Sequence, residues 1–487
     1  MSRVTRRSFL KGSLAMAGAT FAISGTKSSG QIIGSNETIV IGVAGINGRG
    51  GAHINEWSGM KDVRIGYLID IDSRLFKGRT KRIEDKAGKA PQCVQDIRKA
   101  LEDKNLDAIS IATPNHWHSL MTIWACQAGK DVYVEKPLCH NVHEGRIAVE
   151  TARKYGRVVQ HGTQGRSGNL GEVIQALCKK GTYGKLLIAR GLCYKRRDTI
   201  GFKETKEPPA GVDFDIWLGP APKQPYHENL VHYNWHWFWD FGNGDIGNQG
   251  VHEMDKARWG IPDATLPTSV IGVGGRLGYK DQGQTANTQV SILEYGDTLL
   301  MFEVRGLPNA KGAKEMDRYF GQGVGDTYHF EKGVVAGNRF YPDGKGEGER
   351  LPALDLPERG EGGHFRNFID VMRSRKIENL RADVLVAFYS CVPIHLSNIS
   401  YRLGEEVPFT TQPKVFEGNK PAIEALERMA DHLKKNEVKL EETMLRVGPK
   451  LTFDPKTEKF TGALADKANE LITRKPRPPF VVPDKVA

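Results

Sequence analysis

The run Thr38-Ile39-Val40-Ile41-Gly42-Val43-Ala44-Gly45-Ile46-Asn47-Gly48-Arg49-Gly50 decides the fold. Thr38 to Val43 is apolar and rich in β-branched residues, as expected of a strand buried on both faces. Gly45-Ile46-Asn47-Gly48-Arg49-Gly50 then approximates G-x-G-x-x-G, and a helix is expected around Ala52 to Ser58. In that pattern the first glycine makes a tight turn and the second lets the backbone approach a ligand. The third lets helix pack on strand. Asn47 stands where the second glycine is expected; asparagine tolerates positive φ better than other side chains, and Gly48 is adjacent.

Outward from this turn the pattern alternates. Strands are expected at 63–69, 108–112, 132–134 and 158–160. Helices are expected around 75–86, 94–102, 119–128 and 142–155. Such alternation predicts a parallel, doubly wound sheet. After about Gly165 the character changes: segments 184–194, 268–276, 288–295 and 298–304 predict a mainly antiparallel sheet. The expected fold is α/β, with an N-terminal Rossmann domain at 37–164 and an α/β domain at 165–404 whose large sheet is open. Residues 405–487 form a C-terminal extension, with a helix opened by Pro421 that sets Ile423, Leu426, Ala430 and Leu433 on one face.

Residues 1–36 read as a leader and linker. Thr5-Arg6-Arg7-Ser8-Phe9-Leu10-Lys11 is a twin-arginine export pattern, followed by a weakly apolar stretch to Ile23. It implies the twin-arginine export machinery as a partner and a periplasmic location; an uncleaved segment would act as an anchor. Below it no run near the ~20 apolar residues of a membrane span is expected. The formal charge is +11, and five of the basic residues lie within the first 36, where there is no acid. No lysine/arginine block is interleaved with aromatics, so nucleic-acid binding is not expected. Six cysteines form no C-x-x-C pair and are expected as buried thiols, because twin-arginine substrates fold in a reducing compartment.

The turn implies a dinucleotide whose pyrophosphate sits on the helix N-terminus. Asp70, 20 positions after Gly50, would accept from the ribose hydroxyls and favour NAD; Arg74 nearby keeps NADP open. Two further strand ends read Ala112-Thr113-Pro114-Asn115-His116-Trp117-His118 and Val134-Glu135-Lys136-Pro137, and a third motif runs from Gly244 to Asp255. In this order the three resemble the Gfo/Idh/MocA family, named for glucose–fructose oxidoreductase, inositol dehydrogenase and rhizopine catabolism. The likeness covers about Thr38 to Gly404. It implies that the second domain's sheet supplies a substrate wall and often an oligomer interface, so a homo-oligomer is expected. It also implies that Thr113, Pro114, Asn115, His116, Glu135 and Lys136 lie along the cofactor, with a cis bond before Pro137.

Oxidation at a carbinol carbon needs a base for the hydroxyl proton and a cation near the developing oxyanion. Lys136 suits the second task. The resemblance places His252 at the nicotinamide, and its ordinary pKa near 6.5 suits the first. Many relatives carry Asp where this chain has Asn248, which leaves His252 a neutral neighbour; Asp255 follows three residues later. Tyr233-Asn234-Trp235-His236-Trp237-Phe238-Trp239 offers aromatic faces for a sugar, with Trp235 and His236 as contacts, and Gln164 and Arg166 are placed at the same cleft. The histidine pairs 116/118 and 232/236 do not read as a metal site, because the Pro/Asn turn and aromatics argue against a helix there. The leading reading is an exported NAD-dependent oxidoreductase of a sugar, polyol or glycoside, with the cofactor tightly held. A redox-neutral NAD-dependent glycosidase and a non-catalytic carbohydrate-binding protein are the alternatives.

Overall fold

The computed structural model describes residues 37–486 apart from 343, 359 and 476, so the twin-arginine pattern lies outside the described residues. The first sheet has six strands: β1 Ile39–Ala44, β2 Val63–Ile69, β3 Gln92–Val94, β4 Ala108–Ile111, β5 Asp131–Val134 and β6 Val159–His161. Their order is β3-β2-β1-β4-β5-β6, and every pair is parallel. This is the Rossmann order, which reverses between β1 and β4 and opens a crevice at the strand C-termini.

Register makes that crevice a site. Ala44 pairs with both Ile69 and Ile111, and Ile111 pairs with Val134. The next residue on each strand is therefore Gly45, Asp70, Ala112 or Glu135, and the four lie level along one edge. β3 is a departure from the sequence expectation of a helix from 94. Only three residues long, it carries too little periodicity to show, and the helix begins at Ile97, capped by the Asp96 side chain.

The second sheet has twelve strands. At its centre Leu186–Tyr194 lies parallel to Thr298–Arg305 and antiparallel to Val324–Phe330. All its other pairings are antiparallel. Beyond Ser269–Gly275 the extension joins in: Met444–Val447 and Leu451–Asp454 both pair with that strand, and Glu405–Pro408 and Lys459–Thr461 flank them. Residues 405–487 are thus part of the second domain's sheet rather than an appendage.

The extension also covers that sheet. Helix Lys420–Lys435 seats Ala422, Ala425, Leu426, Met429 and Leu433 on Ile271, Val273, Val290, Ile292 and Met301. Arg428 ties it down by an ion pair with Glu303, buried at the sheet centre beside Arg190. One face of the sheet is thus covered by the chain itself. On the other side the sheet packs helices Gly250–Gly260 and Val384–Arg402. The latter is long and apolar enough to cross a membrane by length and composition, contrary to the sequence expectation; 83% of its apolar window is buried in the protein. Tryptophan rings Trp117 and Trp124 of helix Asn115–Gln127 receive Phe480 of the tail. All six cysteines are free thiols; Cys126, Cys139, Cys193 and Cys391 are buried and Cys93 is exposed.

Candidate active site

The level strand ends open into a cavity of about 310 Å³, lined among others by Gly45, Asn47, Gly48, Arg49 and Asp70. Gly45 has φ +78°, and a Cβ there would lie 2.6 Å from the Ala112 carbonyl oxygen. A Cβ on Gly50 would lie 1.7 Å from the Gly45 carbonyl oxygen, so Gly50 packs helix on turn and does not line the cavity. A Cβ on Gly48 would meet nothing within 4 Å. Asn47 needs no positive φ, because only the first glycine of the motif adopts it. Gly48 caps helix Arg49–Ser58 with no side-chain hydrogen bond, which leaves the first amides of that helix to an anion. Closed packing at Gly45 and Gly50, with open space at Gly48, fits a pyrophosphate.

Asp70 lines the cavity, and its two oxygens accept from the amides of Ile46 (2.8 Å) and Asp72 (2.9 Å). Burial raises its pKa, against those hydrogen bonds. It therefore fixes the glycine-rich turn as well as facing the expected ribose position. Arg74, the feature that keeps NADP open, is held by both oxygens of Asp72 at 2.7 and 2.6 Å.

Glu135 is buried, and one oxygen accepts from Arg49 Nε (2.7 Å), His53 Nε2 (3.1 Å) and Gln164 Nε2 (3.1 Å). Burial pushes its pKa up, but His53, Arg49 and Lys136 outweigh that and hold the carboxyl well below the usual range. His53 was not singled out in the sequence; its spacing of four from Arg49 puts both on one helix face. Lys136 follows, joined to Pro137 by a cis bond. Its Nζ donates to the Asn248 carbonyl oxygen at 2.6 Å, with Asn248 Oδ1 at 3.4 Å. Burial lowers the lysine's pKa, opposed by Glu135. The His118 ring lies between the carbonyls of Pro137 (2.6 Å) and Thr113 (2.8 Å) and ties the two strand-end turns together.

The opposite wall is aromatic and comes from the second domain: Trp217, Tyr233, Trp235 and His236, with His232 beside them. Trp235 and His236 stack at 3.6 Å. His236 Nδ1 donates to the Tyr233 carbonyl at 2.6 Å, which leaves Nε2 carrying the lone pair. Burial, and then the Lys136 charge, hold its pKa well below the ordinary value, so the ring is neutral.

Several expected residues fall elsewhere. Thr113, Pro114, Asn115 and Asn248 line the cavity, but His116 does not. Its Nε2 meets the Trp217 carbonyl at 2.8 Å, and its ring packs on Phe241. Gln164 is spent on Glu135 and on the Tyr133 hydroxyl. Arg166 and Asp255 pair with each other in the interior at 2.8–2.9 Å, away from this cavity. His252 stands in the first turn of Gly250–Gly260, outside the lining, and burial and the Lys136 charge push it down to about 3. Among the described residues no three His, Cys, Asp or Glu side chains converge as a metal ion requires.

Comparison with known proteins gives this geometry a family. Residues 38–163 match the NAD-binding Rossmann fold of the Gfo/Idh/MocA oxidoreductase family, and 196–281 match its C-terminal α/β domain. A glycosyl hydrolase family 109 protein of Solibacter usitatus is 33% identical over 164 residues, 31% of this chain and 37% of that protein. An alpha-N-acetylgalactosaminidase of Shewanella oneidensis is 23% identical over 207 residues, 38% and 45% of the two chains. The chain thus spans less than half the length of these curated relatives. Among solved structures, the WlbA dehydrogenase from Bordetella pertussis, in complex with NADH and UDP-GlcNAcA, superposes with a TM-score of 0.53 at 18% identity, over 74% of this chain and 97% of that one. Levoglucosan dehydrogenase, in complex with NADH and levoglucosan, gives 0.51 at 15%, over 74% and 97%. At these identities the likeness is one of fold. With both family domains matched in order, and the strand-end motifs placed at one crevice, residues 38–163 and 196–281 are the NAD-binding and C-terminal domains of a Gfo/Idh/MocA-type oxidoreductase.

Proposed function

We propose that this protein acts on a sugar or glycoside with NAD retained in the site, and that its course is redox-neutral, as for an NAD-dependent glycosidase. The observation that carries the reading is the meeting of Lys136 and His236 with the glycine-rich turn and a wall of indole rings in one cavity. The family 109 relatives favour the redox-neutral course over net dehydrogenation.

Gly45, Gly48, Arg49 and Asp70 would hold NAD, which when bound accepts and returns a hydride. Trp217 and Trp235 offer flat faces to the apolar side of a sugar ring. The Nε2 of neutral His236 takes the proton of the hydroxyl at the carbon being oxidised. Lys136, half-buried and anchored on Asn248, faces the negative charge that grows on that oxygen. His252 lies within the electrostatic reach of Lys136 and would tune it without touching substrate.

The test is a panel of chromogenic glycosides and free sugars incubated with natively purified protein. Release of free sugar with no net NADH supports the reading. A keto-sugar formed mole for mole with NADH replaces it with a dehydrogenase, the second reading. Binding without turnover of any substrate leaves a carbohydrate-binding protein. Export belongs to the same proposal: a periplasm supplies no nicotinamide pool, so a folded, preloaded enzyme suits the twin-arginine route. A reporter fused behind residues 1–36 should reach the periplasm and stay inside when Arg6 and Arg7 are both changed to Lys.

A further inference from the structure

A second cavity, of about 240 Å³, lies behind the reactive strand end, between the extension and helix Val384–Arg402. Its chemistry is unlike that of the first. Arg402, Arg474 and Lys475 line it together with His140 and a single carboxylate, Asp240. Glu144, outside the lining, lies 3.0 Å from the Arg474 Nε and offsets one of the three cations. Positive charge remains in excess.

The donors there are incompletely used. Arg474 Nη2 donates to His140 Nδ1, so the His140 proton sits on Nε2. That Nε2 is buried and has no hydrogen-bond partner among the described residues; neither has Arg474 Nη1. A buried N–H without an acceptor is destabilising, and more so on a charged group. Both residues line the cavity, and each carries a donor left without an acceptor. The neighbouring amides do not provide one. Asn243 Nδ2 donates to the His140 carbonyl (3.2 Å), and Asn398 Nδ2 donates to the Asn243 carbonyl (2.9 Å). Arg402 rests over the Trp239 ring at 5.1 Å, with its guanidinium at the rim.

We propose that this cavity binds a small oxyanion, a phosphate or sulfate group, either as the free ion or as an ester on a sugar. Guanidinium forks and an imidazole N–H match tetrahedral oxygens, and several unneutralised donors at once select a multiply charged acceptor over a single water. The bridge to the reactive cavity is short. Asn243 binds the His140 carbonyl on one side and approaches Asn115 Nδ2 at 3.5 Å on the other, and Asn115 lines the first cavity.

Calorimetric titration of the full-length protein with sodium phosphate, sodium sulfate and glucose 6-phosphate tests this, against sodium chloride at matched ionic strength. Each titration is run with and without saturating NAD. Saturable binding that persists with NAD is expected. It should weaken at least tenfold in Arg402→Gln/Lys475→Gln, whose side chains lie at the rim, and be unchanged in Lys61→Gln/Lys332→Gln, an equal loss of charge elsewhere. Tighter binding of glucose 6-phosphate than of inorganic phosphate assigns the site to an ester, and equal or weaker binding assigns it to the free ion. Absence of saturable binding, equal weakening in both double variants, or complete displacement by NAD would overturn the proposal. None of these results depends on which glycoside, if any, is turned over.

Discussion

Two glycines two residues apart in the same turn should fail differently. Gly48→Ala adds a methyl into open space, so the melting temperature should hold while NAD affinity, read by calorimetry, falls. Gly50→Ala drives a methyl into the Gly45 carbonyl, so both melting temperature and affinity should fall. Equal behaviour of the two would mean that Gly48 does not face the cofactor. At the other side of the cavity, His236→Gln should cost about 10²–10⁴-fold in kcat, the usual worth of a positioned general base. His252→Gln should cost distinctly less, and Lys136→Ala should leave no measurable turnover with the fold intact by circular dichroism. The reverse ranking of the two histidines would move the base to His252. Sequence alone favoured His252 because a motif surrounds it, whereas His236 sat in an aromatic run with no motif to give it a direction. What singles out His236 is a backbone carbonyl on Nδ1, a contact that no spacing encodes. Arg166 and Asp255 illustrate the same limit: each looked available in the sequence, and each proved to be the other's partner. Gly45, Asp70 and Glu135 were legible because each directly follows a strand, so strand register alone makes them neighbours, and Lys136 comes next after Glu135.

At the scale of elements, helix Lys420–Lys435 was readable before any coordinates. Its apolar stripe, the proline in its first turn and the Asn419 cap, which accepts from the Ala422 amide at 3.1 Å, are local signals. Its destination was not readable, since nothing in a stripe says which sheet it covers. Leu426→Ala should cost about 2–5 kcal/mol by denaturant unfolding, the range for a buried leucine truncated to a cavity. Asn419→Ala should cost about 1 kcal/mol. A loss at Leu426 no larger than that at Asn419 would mean that the helix is only loosely seated. The edge strand Gln92–Val94 is hidden for the opposite reason: three residues, two of them exposed, carry no periodicity, and its parallel partner, Tyr67–Ile69, is more than twenty residues away.

Across the whole molecule, buried histidines make stability depend on acid. Burial lowers His116, His252 and His395 to about 3, and His118 and His364 to about 4. Unfolded, each takes up a proton near its ordinary value of about 6.5. The unfolded chain therefore binds more protons between that value and the folded one, so stability is fully present above pH 6.5 and is lost as pH falls toward 4. Each ring contributes up to about 1.4 kcal/mol per pH unit. The melting temperature should drop steeply from pH 6.5 to 4.5 and stay nearly flat from 7 to 8.5; a flat profile through pH 5 would mean that these rings are not buried neutral. Overall class and the order of the two domains were legible because alternation and motif order are properties of the chain. The union of the extension with the second sheet was not, because pairing across more than a hundred residues leaves no local trace.

That union has a consequence for how the protein behaves on dilution. A sheet face shielded by a neighbouring subunit is bare whenever the neighbour dissociates, so its protection depends on concentration. Here the shield is tethered, and its effective concentration is set by the connecting chain rather than by the number of molecules present. The face stays dry in a single molecule, and a second copy could claim it only by first evicting Leu426 and its neighbours.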